Sequence, residues 1–368
     1  MRIRAAVLQE FNAPLVVEEV DLAEPKEGEV LVRLAACGVC HTDAYTASGV
    51  DPTGYAPCVL GHEGAGVVEK VGPGVRLVAP GDHVVTLFAP ECGECVHCRS
   101  DRTNRCIAIR DQQGLGYLPD GTTRLSRNRE PLRHFMGCST FAEYTVMPEI
   151  ALAVVNPEAP LDAVAPFACG LSTGIGAAMF TSPVTPGSTV AVFGCGLVGL
   201  GAVIGAKLQG AERIMAFDLS DERLAEARKH GATDTRVPGD DVVQWIRDQT
   251  GGYGADFTFE ATGLVKVMGQ AVEAAREAWG RATMCGVAGK GDLLQIVPRL
   301  LITGRSVTGS SFGGVKGRTH LPGLIDRWLD GEFDARVMVS HHISLDEVNK
   351  GFELMEHHDG IRSVIQFS

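Results

Sequence analysis

The sequence lacks long apolar runs and an excess of basic residues. Nowhere in its 368 residues is an apolar stretch long enough to cross a bilayer, and Met1 to Glu10 contains no apolar run ahead of a small-residue cleavage site. Lys and Arg number 33 against 45 Asp and Glu, a formal net charge of −12. This charge disfavours nucleic acid and anionic membranes as partners. We therefore expect a cytoplasmic protein that binds neither.

A disulfide framework is also not expected, although the chain contains eleven cysteines. Such frameworks suit small secreted domains, whereas this chain is long and has no recognisable secretion signal. Four of the cysteines are clustered between Cys92 and Cys106. The clustering favours metal binding.

The chain is long enough for two domains, and two different secondary-structure patterns can be recognised along it. The first part, to about residue 150, reads as short strands broken by Gly and Pro, as in Val30–Ala35, Ala65–Val71 and His83–Leu87. Beyond about residue 170, strands alternate with helices, which predicts a parallel sheet covered on both faces. The predicted strands are Ser188–Phe193, Arg213–Phe217, Asp256–Phe259, Ala282–Val287 and Ser306–Gly309, and the predicted helices are Leu197–Leu208, Glu222–His230, Val242–Gln249 and Val267–Ala278.

The last sixty or so residues do not strongly follow either of these two secondary-structure patterns. We predict helices at Leu321–Leu329 and Leu345–Met355, and strands at Val337–Ile343 and Ser363–Phe367.

The spacing Cys92-x-x-Cys95-x-x-Cys98, followed by Cys106, is the first motif with a chemical meaning. Four thiolates in one loop can close a tetrahedral shell around zinc, leaving no position for a substrate, so the site is interpreted as structural. Four unliganded or oxidised thiols and an iron–sulfur cluster are the alternatives.

A glycine motif at Gly194-x-Gly196-x-x-Gly199 follows a predicted strand and opens a predicted helix, the context that dinucleotide binding requires. The glycines permit a tight turn, close approach of a pyrophosphate and close helix packing. Asp218 ends the next predicted strand, where a carboxylate would bind the adenosine ribose and favour NAD over NADP. A glycine-rich packing turn is the alternative.

Spacing alone says little about Cys40, His62, Glu63 and Cys169, which lie far apart in the sequence, and a buried Cys or His is more often a core residue. The motifs around them are more informative: Gly38–Asp43 (GVCHTD), Gly61–Gly66 (GHEGAG), Pro80–Val84 (PGDHV) and Cys169–Gly174 (CGLSTG). Through these motifs the chain resembles the zinc-containing medium-chain alcohol dehydrogenases, and this resemblance makes the four residues candidates. Four further segments, His41–Thr46 (HTDAYT), Asp51-Pro52, Ser139–Phe141 (STF) and Phe312–Gly314 (FGG), resemble class III of that family, the glutathione-dependent formaldehyde dehydrogenases.

The resemblance implies an α/β protein with two domains. A β-rich GroES-like catalytic domain would comprise residues 1–172 and 309–368, including a structural-zinc loop at 92–106. A Rossmann domain with a doubly wound parallel sheet would comprise residues 173–308 and bind NAD. Two zinc ions per chain are then expected, one catalytic and one structural.

For the catalytic zinc, the resemblance implies the ligands Cys40, His62 and Cys169, with Glu63 beside the metal and normally not a ligand. Thr42 matches the hydroxyl that takes the alcohol proton, and Asp43 the carboxylate that orients the ligand histidine. The cofactor positions are listed together: Gly194, Gly196, Gly199, Val198 and Thr173, with Asp218 and Arg223 at the adenosine ribose and His41 and Arg362 at the pyrophosphate.

The residues at the expected substrate positions agree only in part with class III. Tyr45 stands where liver-type enzymes have a relay histidine, as in class III, and Arg110 and Asp51 match class III substrate contacts. The neighbouring class III glutamate, however, is replaced by Thr53. The leading hypothesis is NAD-dependent oxidation of a thiol–formaldehyde adduct or primary alcohol. A general aromatic or long-chain alcohol dehydrogenase is the second hypothesis, and a non-catalytic binding protein the third.

A homodimer is expected, because class III enzymes are dimers and the chain keeps the long segment from Asp111 to Phe135. The predicted strand Ser306–Phe312 is a candidate edge that could pair with its copy across a two-fold axis.

Overall fold

The computed structural model describes residues 1–51 and 54–367. These residues form two compact units, Met1–Cys169 with Lys316–Ser368, and Gly170–Val315. The sequence-based boundaries, after residue 172 and before residue 309, lie a few residues from these.

The two units contain the following strands and α-helices, each series in chain order. The strands are β1 Arg2–Leu8, β2 Val16–Leu22, β3 Glu29–Gly38, β4 Cys58–Val59, β5 Glu63–Val71, β6 His83–Thr86, β7 Leu125–Arg127, β8 Glu130–His134, β9 Tyr144–Pro148, β10 Leu152–Val154, β11 Thr189–Phe193, β12 Arg213–Phe217, β13 Asp234–Arg236, β14 Phe257–Glu260, β15 Arg281–Met284, β16 Ser306–Gly309, β17 His341–Ile343 and β18 Ser363–Gln366. The α-helices are α1 His41–Ala47, α2 Arg110–Gln113, α3 Leu161–Val164, α4 Gly170–Gly176, α5 Leu197–Leu208, α6 Asp221–His230, α7 Val242–Gln249, α8 Val265–Ala274, α9 Pro298–Ile302, α10 Gly317–Leu329 and α11 Val348–Glu356.

The first unit is built around β3. A closed barrel contains β1, β2, β7, β8 and β4, and a seven-stranded sheet has the order β10-β6-β5-β3-β18-β17 with β9 paired to β3. Eight of the ten β3 residues are buried, because strands pair with it along its length and apolar layers cover it. Its last residue, Gly38, lies opposite Glu63 at the start of β5 and Val364 of β18. Antiparallel pairing therefore gathers three distant segments at one end of the sheet.

The second unit is a six-stranded parallel sheet with the order β13-β12-β11-β14-β15-β16. The strand order reverses beside β11, which lies between β12 and β14. In such sheets ligands bind beyond the carboxyl ends of the strands at this reversal. The glycine motif follows β11 there and leads directly into α5.

Several helices and strands end elsewhere than predicted. The helix predicted at Val267–Ala278 is α8, which ends at Ala274 because Ala275 is extended (φ −63°, ψ 144°). The strand predicted at Ala282–Val287 ends at Met284, since the next two backbone N–H groups turn to the carbonyl of Glu260.

The strand predicted at Val337–Ile343 was wrong in its first half. Arg336–Met338 is a 3₁₀ turn, and only His341–Ile343 is a strand. Ala335 and Met338 are both fully buried, and a spacing of three places them on the same side of a 3₁₀ turn. The proposed edge strand Ser306–Phe312 likewise ends at Gly309, before a 3₁₀ turn at Phe312–Gly314.

Over the described ranges, no single helix has both the length and the apolar character to span a membrane. One bent pair, Leu161–Ala168 with Gly170–Thr181, meets that test by length and composition only, as buried core helices also do.

Candidate metal centres and cofactor site

The four cysteines of the 92–106 loop form one cluster. The Sγ atoms of Cys92 and Cys98 are 3.8 Å apart, those of Cys95 and Cys106 are 3.9 Å apart, and all four lie within 4.8 Å of one another. A tetrahedron of sulfurs with Zn–S bonds of about 2.3 Å has edges of about 3.8 Å. The backbone N–H of Cys95 donates to Cys92 Sγ at 3.3 Å, and that of Cys98 donates to Cys95 Sγ at 3.4 Å. These donors stabilise thiolates, so the cluster fits a closed zinc site.

Helix α10 anchors this loop within the first unit. The carboxylate of buried Glu91, which precedes Cys92, accepts the backbone N–H of Thr319 at 2.9 Å in the first turn of the helix. Lys316, just before the helix, donates from Nζ to the Cys98 carbonyl at 2.8 Å. The cluster therefore joins a surface loop to the C-terminal part of its unit, which is a structural arrangement.

A second group of possible ligands lies in the first unit, three of them buried and Cys169 half-buried. One donor atom from each of Cys40, His62, Glu63 and Cys169 lies within 4.8 Å of the others. Cys40 follows β3 and His62 precedes β5, so the pairing of Gly38 with Glu63 holds them together. Cys169 follows a 3₁₀ turn, Ala165–Ala168, that packs on both strands. The pairing of β3 and β5 thus explains how ligands distant in sequence meet.

Asp43 fixes the orientation of His62. The Asp43 carboxylate is fully buried and lies 3.2 Å from His62 Nδ1, and it also accepts the backbone N–H groups of Cys40 at 3.1 Å and Gly61 at 3.0 Å. His62 Nε2 is buried with no hydrogen-bond partner among the described residues. A nitrogen so held and unsatisfied is what a metal ion would complete. Two sulfurs and one imidazole suit zinc.

The donors also shift one another's protonation. A hydrogen bond from Cys169 lowers the pKa of Cys40 well below its usual value, in spite of burial, and the same contact raises the pKa of Cys169. Burial opposes protonation of His62, but the charge and hydrogen bond of Asp43 outweigh it and raise that pKa. Zinc binding needs both sulfurs deprotonated and the imidazole neutral, so it would release protons from this set.

Glu63 lies beside these donors with a buried cation. Burial raises the pKa of Glu63 to about 8, against the opposing charge of Arg362. Arg362 Nη2 is 3.3 Å from the Glu63 carboxylate, and Nη1 donates to the Val39 carbonyl at 2.5 Å. A Cβ on Gly38 would lie 2.1 Å from Glu63 Oε2, so only glycine leaves room for this carboxylate. The guanidinium predicted to reach a pyrophosphate thus contacts Glu63 and a backbone carbonyl.

Helix α1 carries two further candidates. The hydroxyl oxygen of Thr42 is 3.6 Å from Cys40 Sγ, which places it directly beside the candidate metal ligands. His41 is the first residue of the helix and is exposed to solvent.

Each glycine of the motif Gly194-x-Gly196-x-x-Gly199 in the second unit is required for a different structural reason. Gly194 has a φ of +88°, which other residues rarely adopt, and a Cβ at Gly199 would lie 1.7 Å from the Gly194 carbonyl oxygen. A Cβ at Gly196 would meet no described atom within 4 Å. Open space above Gly196, at the start of a twelve-residue helix, suits the approach of a phosphate. The motif therefore fits dinucleotide binding rather than a simple packing turn.

Asp218 lies directly after β12 and faces this loop. Its carboxylate accepts the backbone N–H of Cys195 at 2.6 Å and of Ser220 at 2.9 Å. Arg223 is in the first turn of α6, where its backbone N–H is bound by the capping hydroxyl of Ser220. Of the remaining cofactor candidates, Val198 lies in the first turn of α5 and Thr173 is buried on α4.

Among the substrate candidates, Asp51 accepts a hydrogen bond from the hydroxyl of Thr46 at 2.9 Å. Tyr45 lies on α1, and Arg110 is an exposed residue at the start of α2. Thr53 lies outside the described residues.

Sequence reasoning missed two aromatic rings beside His62. Those of Phe88 and Phe135 lie 5.6 Å and 5.8 Å from the imidazole, at interplanar angles of 88° and 73°. Phe135 lies four residues before the motif Ser139–Phe141, so proximity along the chain was an available signal. Phe88 follows β6 without any local signal.

Two family models match the chain: an alcohol dehydrogenase GroES-like domain over residues 26–157 and a zinc-binding dehydrogenase domain over residues 198–329. Proteins from Escherichia coli O1:K1 / APEC and Shigella sonnei, both named S-(hydroxymethyl)glutathione dehydrogenase, are 50% identical over 373 aligned residues, covering 100% of each chain. The chain belongs to the zinc-containing alcohol dehydrogenase family.

Solved structures agree with this membership. An alcohol dehydrogenase zinc-binding domain protein from Burkholderia ambifaria superposes with a TM-score of 0.94 at 35% identity, covering 100% of this chain and 99% of the other. Benzyl alcohol dehydrogenase from Acinetobacter calcoaceticus superposes with a TM-score of 0.92 at 30% identity over 100% of both chains. The chain is thus a class III-like, zinc- and NAD-dependent alcohol dehydrogenase with the predicted GroES-like and Rossmann folds.

Two separate ligand sets predict two zinc ions per chain for this dehydrogenase. We expect elemental analysis of the purified protein to find two. Cys95→Ser is expected to remove one zinc and to lower the thermal unfolding temperature, because a structural zinc stabilises the fold directly. Cys285→Ser, which alters a cysteine outside both sets, is the control. One zinc in the unmodified protein, or iron in place of zinc, would contradict the assignment.

Proposed function

We propose that this dehydrogenase oxidises the adduct of a thiol and formaldehyde to an S-formyl thiol, with NAD as the hydride acceptor. The observation that carries the alcohol chemistry is the cluster of Cys40, His62 and Cys169, with the Thr42 hydroxyl beside the Cys40 sulfur. The thiol adduct as substrate is supported by relatives that are 50% identical over their full length and bear the name S-(hydroxymethyl)glutathione dehydrogenase.

Each residue of the set then has a chemical task. Cys40, His62 and Cys169 would hold the zinc, which would supply Lewis-acid chemistry at the substrate hydroxyl, and NAD would supply the hydride acceptor. Thr42 takes the proton from the substrate hydroxyl, and Asp43 holds His62 in its tautomer and orientation. Glu63 would stay beside the metal as a neighbour, with its carboxylate in contact with the Arg362 guanidinium.

The two predicted domains divide this work. Residues 1–172 and 309–368 form the catalytic domain, with the second zinc held by Cys92, Cys95, Cys98 and Cys106. Residues 173–308 form the NAD-binding domain, in which Gly194, Gly196 and Gly199 take the phosphates. The other assigned cofactor contacts are Thr173, Val198, Asp218 and Arg223 in this domain, and His41 and Arg362 in the catalytic domain.

Arg110 and Asp51 bind the charged part of the thiol adduct in this proposal. Arg110 is exposed and would pair with a carboxylate, while Asp51 would bind an amine. A charged hydrogen bond contributes about 1.5–3 kcal/mol, or roughly tenfold and more in binding.

Arg110→Ala is therefore expected to lower the adduct-to-octanol ratio of kcat/KM about tenfold or more, because octanol has no carboxylate to lose. The assay compares S-(hydroxymethyl)glutathione with octanol, using NAD. Arg102→Ala, an exposed arginine on the preceding loop, is the control. Equal losses for both substrates would assign Arg110 a structural role, and no turnover of any hydroxymethyl thiol adduct by the unmodified enzyme would reject the class III substrate.

An aromatic or long-chain alcohol is the second candidate substrate. Benzyl alcohol dehydrogenase is a close structural match, and the rings of Phe88 and Phe135 flank His62. Thr53 also removes one anionic partner for the adduct's amine. A panel of S-(hydroxymethyl)glutathione, benzyl alcohol and octanol, each with NAD and NADP, distinguishes the candidates by kcat/KM.

We also propose a cytoplasmic homodimer. The edge strand β16 pairs only with β15 among the described strands, and the adjacent helix α9 exposes Ile302 at 83% and Leu301 at 43%. Apolar surface beside an open sheet edge favours pairing across a two-fold axis. The described residues include all eleven cysteines and no disulfide between them, which suits a reducing compartment.

Light scattering is expected to give twice the mass of one chain. Ile302→Glu places a charge in the proposed contact and should shift the equilibrium toward monomers. Val96→Glu, at another exposed apolar residue in the other unit, should leave the equilibrium unchanged. A tetramer would show that this edge does not account for the assembly.

A further inference from the structure

Helix α2 consists of one turn, Arg110–Gln113, and so needs tertiary contacts to hold its position. The Gln113 side-chain amide supplies two of them. Its Nε2 donates to the carbonyl of Phe88 at 2.9 Å and to the carbonyl of Met136 at 2.7 Å. Both amide hydrogens are therefore used, one on each of two loops that follow different strands, β6 and β8.

These two loops carry the rings that contact His62. Phe88 itself packs edge-on against the imidazole, and so does Phe135, the residue before Met136. The backbone at Met136 has a φ of +52°, which a non-glycine residue adopts only when its surroundings hold it there. Gln113 thus joins the turn that begins with Arg110 to both aromatic walls beside the catalytic ligand.

We infer that Gln113 is a positioning residue that holds Arg110 at a set distance from the catalytic centre. It thereby favours substrates that are bound both at the metal and at Arg110. The inference rests on the proposed function, in which Arg110 binds the carboxylate of the thiol adduct. A substrate held at the metal and at Arg110 depends on the separation of the two points, because small misplacements cost much of the advantage of fixed orientation. An aliphatic alcohol, held at the metal alone, does not depend on that separation.

The test uses Gln113→Leu, which keeps the side-chain size and removes both hydrogen bonds. Gln113→Asn is a second variant, which keeps the amide but is one methylene too short to reach both carbonyls. Gln112→Leu is the matched control on the same turn, where the backbone carbonyl keeps its bonds to the N–H groups of Leu115 and Tyr117. The readouts are kcat and KM for S-(hydroxymethyl)glutathione and for octanol, with zinc content.

We expect Gln113→Leu to lower the adduct-to-octanol ratio of kcat/KM about tenfold, mainly through KM for the adduct, with two zinc ions retained. Gln113→Asn should show a smaller drop, and Gln112→Leu none. Combined with Arg110→Ala, Gln113→Leu should lower the ratio no further, because the two residues act as one unit.

Three results would overturn the inference: an unchanged ratio in both Gln113 variants, losses that multiply in the double variant, or an equal drop for both substrates. In each of these cases the unmodified enzyme still oxidises the adduct, so the proposed function stands. If the unmodified enzyme does not oxidise the adduct, the proposed function fails and the inference fails with it.

Discussion

Replacing Thr42 with alanine is expected to slow alcohol oxidation by roughly a hundredfold or more, the usual scale for losing a positioned proton acceptor. The hydroxyl lies 3.6 Å from Cys40 Sγ, on the first turn of a helix that begins directly after this ligand. This hydroxyl is therefore close enough to the candidate metal ligands to accept a proton from an alcohol held there. Alanine keeps the helix and the ligands and removes only the acceptor.

The measured rate must be limited by hydride transfer. We would compare kcat/KM and the deuterium isotope effect for a primary alcohol in wild type, Thr42→Ala and Thr42→Ser. Serine retains a hydroxyl and should restore most of the rate, and both variants should keep two zinc ions. Unchanged turnover of Thr42→Ala, where hydride transfer limits the rate, would exclude Thr42 from proton transfer.

Replacing Asp43 with asparagine is expected to lower the affinity of the catalytic site for zinc by about 10- to 100-fold, the usual effect of losing a residue that orients a ligand histidine. The two buried oxygens of Asp43 face three nitrogens, those of Cys40, Gly61 and His62. In asparagine an NH₂ group replaces one oxygen, so at least one buried N–H faces another donor. An unsatisfied buried group costs about 1–3 kcal/mol.

Zinc retention under increasing chelator concentration, followed together with activity, would measure this effect. The tetrathiolate zinc serves as the internal reference, because Asp43 does not contact that cluster. Asp82→Asn is the external control, since Asp82 also accepts a backbone N–H, from Ala79 at 2.8 Å, in an exposed turn. Equal loss of both zinc ions would instead indicate general unfolding.

Gly38 shows how the catalytic set depends on backbone packing as well as on its donors. Glu63 occupies the space where any Cβ on Gly38 would project, and Arg362, directly before β18, contacts its carboxylate. Gly38 and Glu63 lie on the neighbouring strands β3 and β5, and Arg362 directly precedes β18, which pairs with β3. The sequence contains all three, yet no spacing rule relates them, because their proximity results from strand register.

The sequence by itself determined the features whose parts are close together along the chain. The cysteines at positions 92, 95, 98 and 106 lie in one loop, and their spacing predicted a cluster of the size that the structure shows. The glycine motif and the alternation of strands and helices around it also predicted α5, β12 and α7 at their observed bounds. Local chain geometry decides such features, so local patterns can predict them.

Only the tertiary structure decided the features that depend on pairing between distant segments. It placed Cys40, His62 and Cys169 together through the pairing of β3 and β5, whereas spacing alone left them as ordinary core residues. It also showed the contacts of Gln113 with two loops. The physical reason is that strand register and loop docking are set by burial over the whole sheet. A single segment does not contain that information.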